Sequence, residues 1–269
     1  MKVHNKVIVV TGGGNGIGRE LVLNLLGKGA AVAAVDINKD ALQETVELAG
    51  DKKEKLTTHL VNITQRDAVE ALPAQIIKEH GAVDGLINNA GIIQPFVRVN
   101  DLDFDAIDRV LNVNLYGPIY MIKAFLPHLL KRPEAHIVNI SSMGGFLPVP
   151  GQTVYGASKA GVKLLTEGLN SELLDTNVRV MVVFPGAIGT NIAANSGLGD
   201  SLSAVADEGS SFPTTAPSEA ARVIIKGMEN NSYRVLIGSD SKMMDLLYRL
   251  SPKRAALIIY KQMKSLLPG

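Results

Sequence analysis

Tyr155-Gly-Ala-Ser-Lys159 sets a phenol and an ammonium four residues apart. On a helix, positions i and i+4 lie about 5–6 Å from each other, so the cation would face the phenol and favour its phenolate. A free tyrosine titrates near 10, and service as a base at neutral pH requires a drop of roughly 3 in pKa, worth about 4 kcal/mol. One exposed lysine cannot supply that. Burial would strengthen its field but would also oppose ionisation of the phenol, so the pair needs a second cation. Ser142 stands thirteen residues before the tyrosine, at the end of the strand-like run His136–Ser141, and its hydroxyl could hold a substrate oxygen. Asn114, in Asn112-Val-Asn-Leu, sits inside a helical pattern where asparagine has poor propensity, which points to a local or water-mediated hydrogen bond. Taken singly, each has a bland explanation: Tyr and Lys four apart are common by chance, and a lone Asn or Ser is usually a satisfied polar group.

A second set of residues lies near the start of the chain. Thr11-Gly-Gly-Gly-Asn-Gly-Ile-Gly18 follows an apolar run, and a helical pattern with Ile17, Leu21, Val22, Leu25 and Leu26 on one face comes after it. Glycines let a backbone turn sharply and approach a pyrophosphate, while a helix N-terminus offers free N–H groups and positive potential. The spacing Gly12-x-x-x-Gly16-x-Gly18 departs from G-x-G-x-x-G, and a glycine-rich turn without a ligand would read the same. Asp36, at the end of the next apolar run, stands where a carboxylate accepts hydrogen bonds from an adenosine ribose. It would repel a 2′-phosphate, and Ile37 and Asn38 bring no cation, so NAD(H) is expected in preference to NADP(H). A surface aspartate capping the next helix would occupy the same position. An oxidised nicotinamide ring stacked nearby would provide the second cation that the tyrosine needs.

These residues need a frame. Val7–Val10, Ala31–Val35, Leu86–Ile87, Ile137–Ile140 and Val178–Val183 are short β-branched or apolar runs, each followed by a helix-like stretch. That alternation predicts a Rossmann-type doubly wound α/β fold, a parallel sheet with helices on both faces, and the nearly continuous apolarity of the runs fits burial on both sides. A last strand is expected at Arg234–Ile237 and a helical tail over 241–267. Residues 192–215, rich in Ala, Ser and Gly, interrupt the rhythm as a lid of about 190–216. The 269 residues, 46 % hydrophobic, are accommodated by a single domain.

Composition narrows the function. A net charge of +1 and 4 % aromatic content argue against nucleic acid. Without cysteine, and with five scattered histidines, no metal site is expected, and a reducing cytoplasm fits. The apolar run at Val7 is too short for a signal h-region or a membrane span.

In combination, Gly12-x-x-x-Gly16-x-Gly18, Asp36, Asn88-Asn-Ala-Gly91, Asn114, Ser142, Tyr155-x-x-x-Lys159 and Pro185-Gly186 resemble the short-chain dehydrogenase/reductase family from about Lys6 to Thr190. The resemblance implies that Tyr155 is the acid/base, that Lys159 lowers its pKa and holds the nicotinamide ribose, that Ser142 orients the substrate and that Asn114 anchors a relay water. It implies a cofactor cradle of Gly12, Asn15, Gly16, Ile17, Gly18, Asp36 and Ile37, with Asn62 and Ile63 near the adenine. Asn88 to Gly91, including Asn89 and Ala90, would stabilise the central sheet beside the adenosine half, and Pro185, Gly186, Ile188 and Thr190 would hold the nicotinamide. Asn62 stands where many members carry an aspartate. Asparagine can both donate and accept there.

Such an enzyme would interconvert a secondary alcohol and a ketone. The pocket wall is expected from Gln94, Ser142, Met143, Phe146, Pro150 and Tyr155, a mainly apolar set that favours a fairly hydrophobic small molecule over a sugar phosphate. Two stripes on the Tyr155 helix, Ala157, Gly161, Leu164 and Gly168 against Val162, Leu165, Leu169 and Leu173, both read as buried. One would meet the sheet and the other a second subunit, giving a homodimer or homotetramer. After Asp245 the tail carries Arg249, Lys253, Arg254, Lys261 and Lys264 and no acidic residue, so it is either a basic amphipathic helix at a membrane surface or a helix closing over pocket or partner. Two rival functions share parts of the pattern. A cofactor-binding regulator would lack the catalytic set, and a nucleotide-sugar epimerase or dehydratase would need a longer chain after Thr190.

Overall fold

The computed structural model of the chain describes residues 1–198 and 214–267. Strands and helices alternate: β1 (Val7–Thr11), α1 (Gly16–Gly27), β2 (Ala31–Asp36), α2 (Lys39–Ala49), β3 (Leu56–Leu60), α3 (Arg66–His80), β4 (Gly85–Asn88), α4 (Phe104–Leu111), α5 (Gly117–Leu129), β5 (Ala135–Ile140), α6 (Thr153–Glu172), β6 (Val178–Pro185), α7 (Ile192–Asn195), α8 (Pro217–Glu229), β7 (Arg234–Ile237), α9 (Ser239–Leu250) and α10 (Pro252–Met263). All seven strands are parallel, in the order β3-β2-β1-β4-β5-β6-β7. Helices cover both faces in a three-layer α/β/α, Rossmann-type arrangement. The period of two along each strand divides the core. Ile8, Val10, Val32 and Ala34 pack with α1 and α8 on one face, while Val7, Val9, Ala33 and Val35 pack with α3, α5 and α6 on the other. Both faces are apolar because neither meets water. The winding direction reverses between β1 and β4, which opens a crevice at the carboxyl ends of the strands.

Three elements depart from the sequence reading. β3 was not expected: Leu-Thr-Thr-His-Leu is polar, and as an edge strand it buries only His59 fully, so it carries no apolar run. The tail is two helices rather than one, because Pro252 opens α10 where its missing N–H is harmless, and α9 starts earlier, at Ser239. Along α6, Val162 and Leu169, with Leu173 just past its end, are buried and Leu165 is half-buried, whereas Leu164 is 68 % exposed, Ala157 and Gly168 are exposed and Gly161 is half-buried against Leu115, so the second stripe is covered only in part within this chain. Of the expected lid, the described part comprises α7 and a parallel bridge between Ile188 and Thr215. The remainder of that expectation, 199–213, lies outside the described residues.

Candidate active site

The glycine turn is built by backbone geometry. Gly12 and Gly16 have φ of +68° and +52°, a region that side chains disfavour. Gly18 allows the first turn of α1 to close on β1, since a Cβ there would lie 1.8 Å from the Gly12 carbonyl oxygen. Asn15 caps α1, its Oδ1 accepting from the Gly16 amide at 2.7 Å, and this leaves the amides of Ile17 and Gly18 as the open donors of the first turn.

Asp36 accepts from the Gly14 amide at 2.9 Å and the Asn38 amide at 3.0 Å. It therefore ties the end of β2 to the glycine turn and is not the helix cap; Asn38 caps α2 by accepting from the Ala41 amide. A carboxylate offers about four acceptor sites, so both oxygens retain capacity for ribose hydroxyls. Arg19, the cation beside this turn, donates to the Gly14 carbonyl and pairs with Glu44.

The next strands deliver two asparagine devices. Asn89 donates to the Thr11 carbonyl at 3.0 Å, and the Thr11 hydroxyl accepts from the Asn89 and Ala90 amides, which pins β4 to β1 at the crevice. Asn88 donates to Asn139, Asn139 to Thr166, and Thr166 to the Val162 carbonyl. This buried chain fixes α6 to the centre of the sheet.

Tyr155 and Lys159 leave α6 on one side, with the Lys159 Nζ 6.0 Å from the Tyr155 ring centroid. Lys159 is buried and donates to the Ile140 carbonyl at 3.0 Å. Its remaining donors face Gly91, where a Cβ would lie 3.1 Å from Nζ. Burial pushes the Tyr155 phenol up from its usual pKa, while a hydrogen bond with Ser142 pulls the other way, and burial lowers Lys159 to about 8. The protein alone thus opposes the phenolate, which agrees with the need for a second positive charge. Ser142 leaves β5 in extended geometry and also accepts from the Gly144 amide.

Asn114 occupies a π-turn, Asn112–Tyr116, between α4 and α5. Its side chain accepts from the Ile92 amide and donates to the Ile92 carbonyl and the Ser158 hydroxyl. That carboxamide clamps the loop after β4 to α6. Irregular turns of this kind recur at functional sites.

A cleft of about 750 Å³ joins these parts. Gly12, Asn15, Gly16, Ile17, Asp36, Ile37, Asn62, Ile63, Asn89, Ala90, Gly91, Ser142, Tyr155, Lys159, Pro185, Gly186, Ile188 and Thr190 line it; Gly18 lies beneath it as a packing residue. Asn62 is turned partly on its own loop, accepting from the Thr64 amide and hydroxyl. The donors of the turn, the Asp36 carboxylate and the buried ammonium form a run of complementary groups that fits a nicotinamide dinucleotide.

Four pocket residues need correction. Gln94 is fully buried and caps α6: its Oε1 accepts from the Val154 and Tyr155 amides, both at 2.9 Å, and its Nε2 donates to the Gly151 carbonyl. Met143 and Phe146 turn toward the C-terminal helices, where Phe146 packs edge-on against Phe184 and beside Tyr248. Neither they nor Pro150 lines the cleft. Gln94 finds an unsatisfied helix end, and Met143 and Phe146 find apolar cover beside the C-terminal helices. Arg109 of α4 lines the cleft without signal in the sequence, since its motif neighbours give it no spacing to read. Asp240 was also missed. It is buried, accepts from the Ala187 amide at 2.7 Å, and fills the space that side chains at Gly186 and Gly238 would need. It thereby braces the Pro185–Thr190 segment.

Comparison with known proteins agrees with this geometry. The profile of the family described as short chain dehydrogenase matches residues 6–200. The chain is 36 % identical over 255 residues to SadH of Mycobacterium tuberculosis, a protein whose name goes no further than oxidoreductase; the match covers 91 % of this chain and 90 % of that protein. It is 38 % identical over 192 residues to the 3-oxoacyl-[acyl-carrier-protein] reductase FabG of Thermotoga maritima, covering 71 % of this chain and 77 % of the relative. Among solved structures, a short chain dehydrogenase from Burkholderia cenocepacia in complex with NADP superposes with a TM-score of 0.80 at 25 % identity, covering 96 % of this chain and 99 % of that one. With a matching profile over most of its length, and with the glycine turn, Asn89 and the Tyr155–Lys159 pair lining one cleft that the buried Asn114 braces from behind, the chain belongs to the short-chain dehydrogenase family.

Proposed function

We propose that this oxidoreductase interconverts a secondary alcohol and a ketone, with NAD(H) preferred, and that Tyr155 is its acid/base. The convergence of Tyr155, Lys159 and Ser142 in the cleft opened by the glycine turn carries the reading. A bound nicotinamide dinucleotide would supply the hydride acceptor or donor and, when oxidised, the second positive charge. The first-turn amides of α1 would hold its pyrophosphate, Asp36 would accept from the adenosine ribose, and Lys159 would donate to the other ribose. In oxidation the Tyr155 phenolate takes the alcohol proton at Oη, and Ser142 holds the same substrate oxygen; in reduction Tyr155 returns that proton. Preference for NAD rests on Asp36 in the cleft wall and on the engagement of Arg19 elsewhere. The outward stripe of α6, Ala157, Leu164 and Gly168, is the surface on which a second copy would pack.

Purified protein tested against a panel of alcohols and ketones, with absorbance of the reduced cofactor followed, should show hydride transfer. Tyr155→Phe should lose about 10²–10⁴-fold in kcat while retaining the cofactor. Activity near wild type in that variant would overturn the assignment, and cofactor binding without any turnover would favour a regulator.

A further inference from the structure

The two C-terminal helices have an inner and an outer face. Met244, Leu247 and Tyr248 of α9 and Ala255, Ile259 and Met263 of α10 pack with Leu147, Phe146 and Val149. Outside, Met243, Leu246 and Leu250 of α9 are exposed, Leu250 to 77 %, and at 3.6 residues per turn they share an arc of roughly 60°. On α10, Lys253, Leu257, Tyr260 and Lys261 are exposed and share an arc of roughly 100°.

The exposed charge on the two helices is of one sign. Lys242, Arg249, Lys253, Arg254, Lys261 and Lys264 are exposed, whereas the acidic residues of the two helices, Asp240 and Asp245, are buried. Asp245 is held inward by Arg234 and Arg249. A two-fold contact between copies would set this patch against itself and bring cation to cation, since α9 and α10 carry no exposed acidic residue. No helix among the described residues is long and apolar enough to cross a membrane. Apolar side chains interleaved with long cationic stems suit a headgroup layer, where a stem lies along acyl chains while its charge stays wet. Tyr260 has the same divided character.

We propose that the outer face of α9 and α10 docks this protein on an anionic phospholipid surface, lying in the interface without spanning it. Full-length protein is mixed with phosphatidylcholine vesicles, with and without phosphatidylglycerol, at low and high salt, and the bound fraction is read by co-sedimentation. Binding should require the anionic lipid and weaken with salt. Each of Lys253→Gln and Lys261→Gln should lower partitioning about fivefold, and Leu257→Ser should weaken the binding that survives salt. Hydride transfer on a water-soluble substrate should stay unchanged in all three, which also reports that they are folded. Absence of binding to the anionic vesicles, equal binding to both vesicle types, or indifference to both lysine substitutions would overturn the proposal. So would sedimentation showing a dimer that Leu257→Ser dissociates, because the face would then belong to a second copy.

Discussion

Burial lowers Lys159 to about 8, so below that pH the folded chain carries an ammonium with little water around it. The unfolded lysine titrates near 10.4, and between the two values the unfolded state binds more protons. The resulting penalty is fully present below pH 8, and stability rises with pH from 8 to about 10.4 as it disappears. Lys159→Met should therefore stabilise the cofactor-free protein by roughly 3 kcal/mol at pH 7 while abolishing turnover, with the gain shrinking above pH 8. Urea midpoints of both proteins from pH 7 to 10 would check this. Asp36 makes a second prediction at this scale. Asp36→Ala removes the carboxylate from the adenosine end of the cleft and should shift the NADP-to-NAD ratio of kcat/KM toward NADP by about tenfold, or 1.4 kcal/mol.

Helix α6, which carries Tyr155 and Lys159, starts without a cap from its own sequence: Gln152 at the cap position makes no such bond. Gln94, fifty-eight residues earlier, supplies it with one oxygen accepting from the Val154 and Tyr155 amides. Its backbone carbonyl in turn accepts from Gln152 at 2.8 Å. Gln94→Ala should cost about 1–2 kcal/mol of stability by denaturant titration, and kcat should fall more than KM rises because Tyr155 loses its register. A pocket role for Gln94 would instead raise KM alone. The buried chain Asn88–Asn139–Thr166 works at the same scale: it sets the angle of α6 on the sheet, so the phenol and the cleft belong to one rigid unit.

Across the whole molecule the sheet holds a histidine that must stay neutral. Burial, then the N-terminal ammonium, lowers His136 to about 3, against 6.5 when unfolded. Between those values the unfolded chain takes up the extra proton, so this stability is present above pH 6.5 and is lost as pH falls toward 3. Wild type should lose roughly 3 kcal/mol more than His136→Gln between pH 7 and 4.5, as read from urea midpoints. The outward stripe of α6 predicts a dimer or tetramer by sedimentation, and Leu164→Glu should dissociate it without changing the fold measured by circular dichroism.

Residues of fixed local spacing are legible in the sequence alone: Gly12 to Gly18, Asp36, and Tyr155 with Lys159 four positions on. Their functions depend on backbone periods that neighbours alone determine, a strand–turn–helix and one turn of α6. The parallel sheet was legible for the same reason, since strands buried on both faces must be apolar throughout. β3 escaped because an edge strand needs no apolar run, and the break at Pro252 because its flanks are equally helical. Gln94 shows the other limit. Its type and position fitted a pocket wall, yet a bond formed across sixty-one residues turns it onto the end of α6. Asp240 reaches Ala187 over a similar separation. Sequence determined the glycine turn, Asp36 and the Tyr155–Lys159 pair of the cleft, whereas tertiary structure alone decided which further side chains face it, Arg109 in and Gln94 out, because unsatisfied helix ends and buried amides take their partners from wherever the fold brings them.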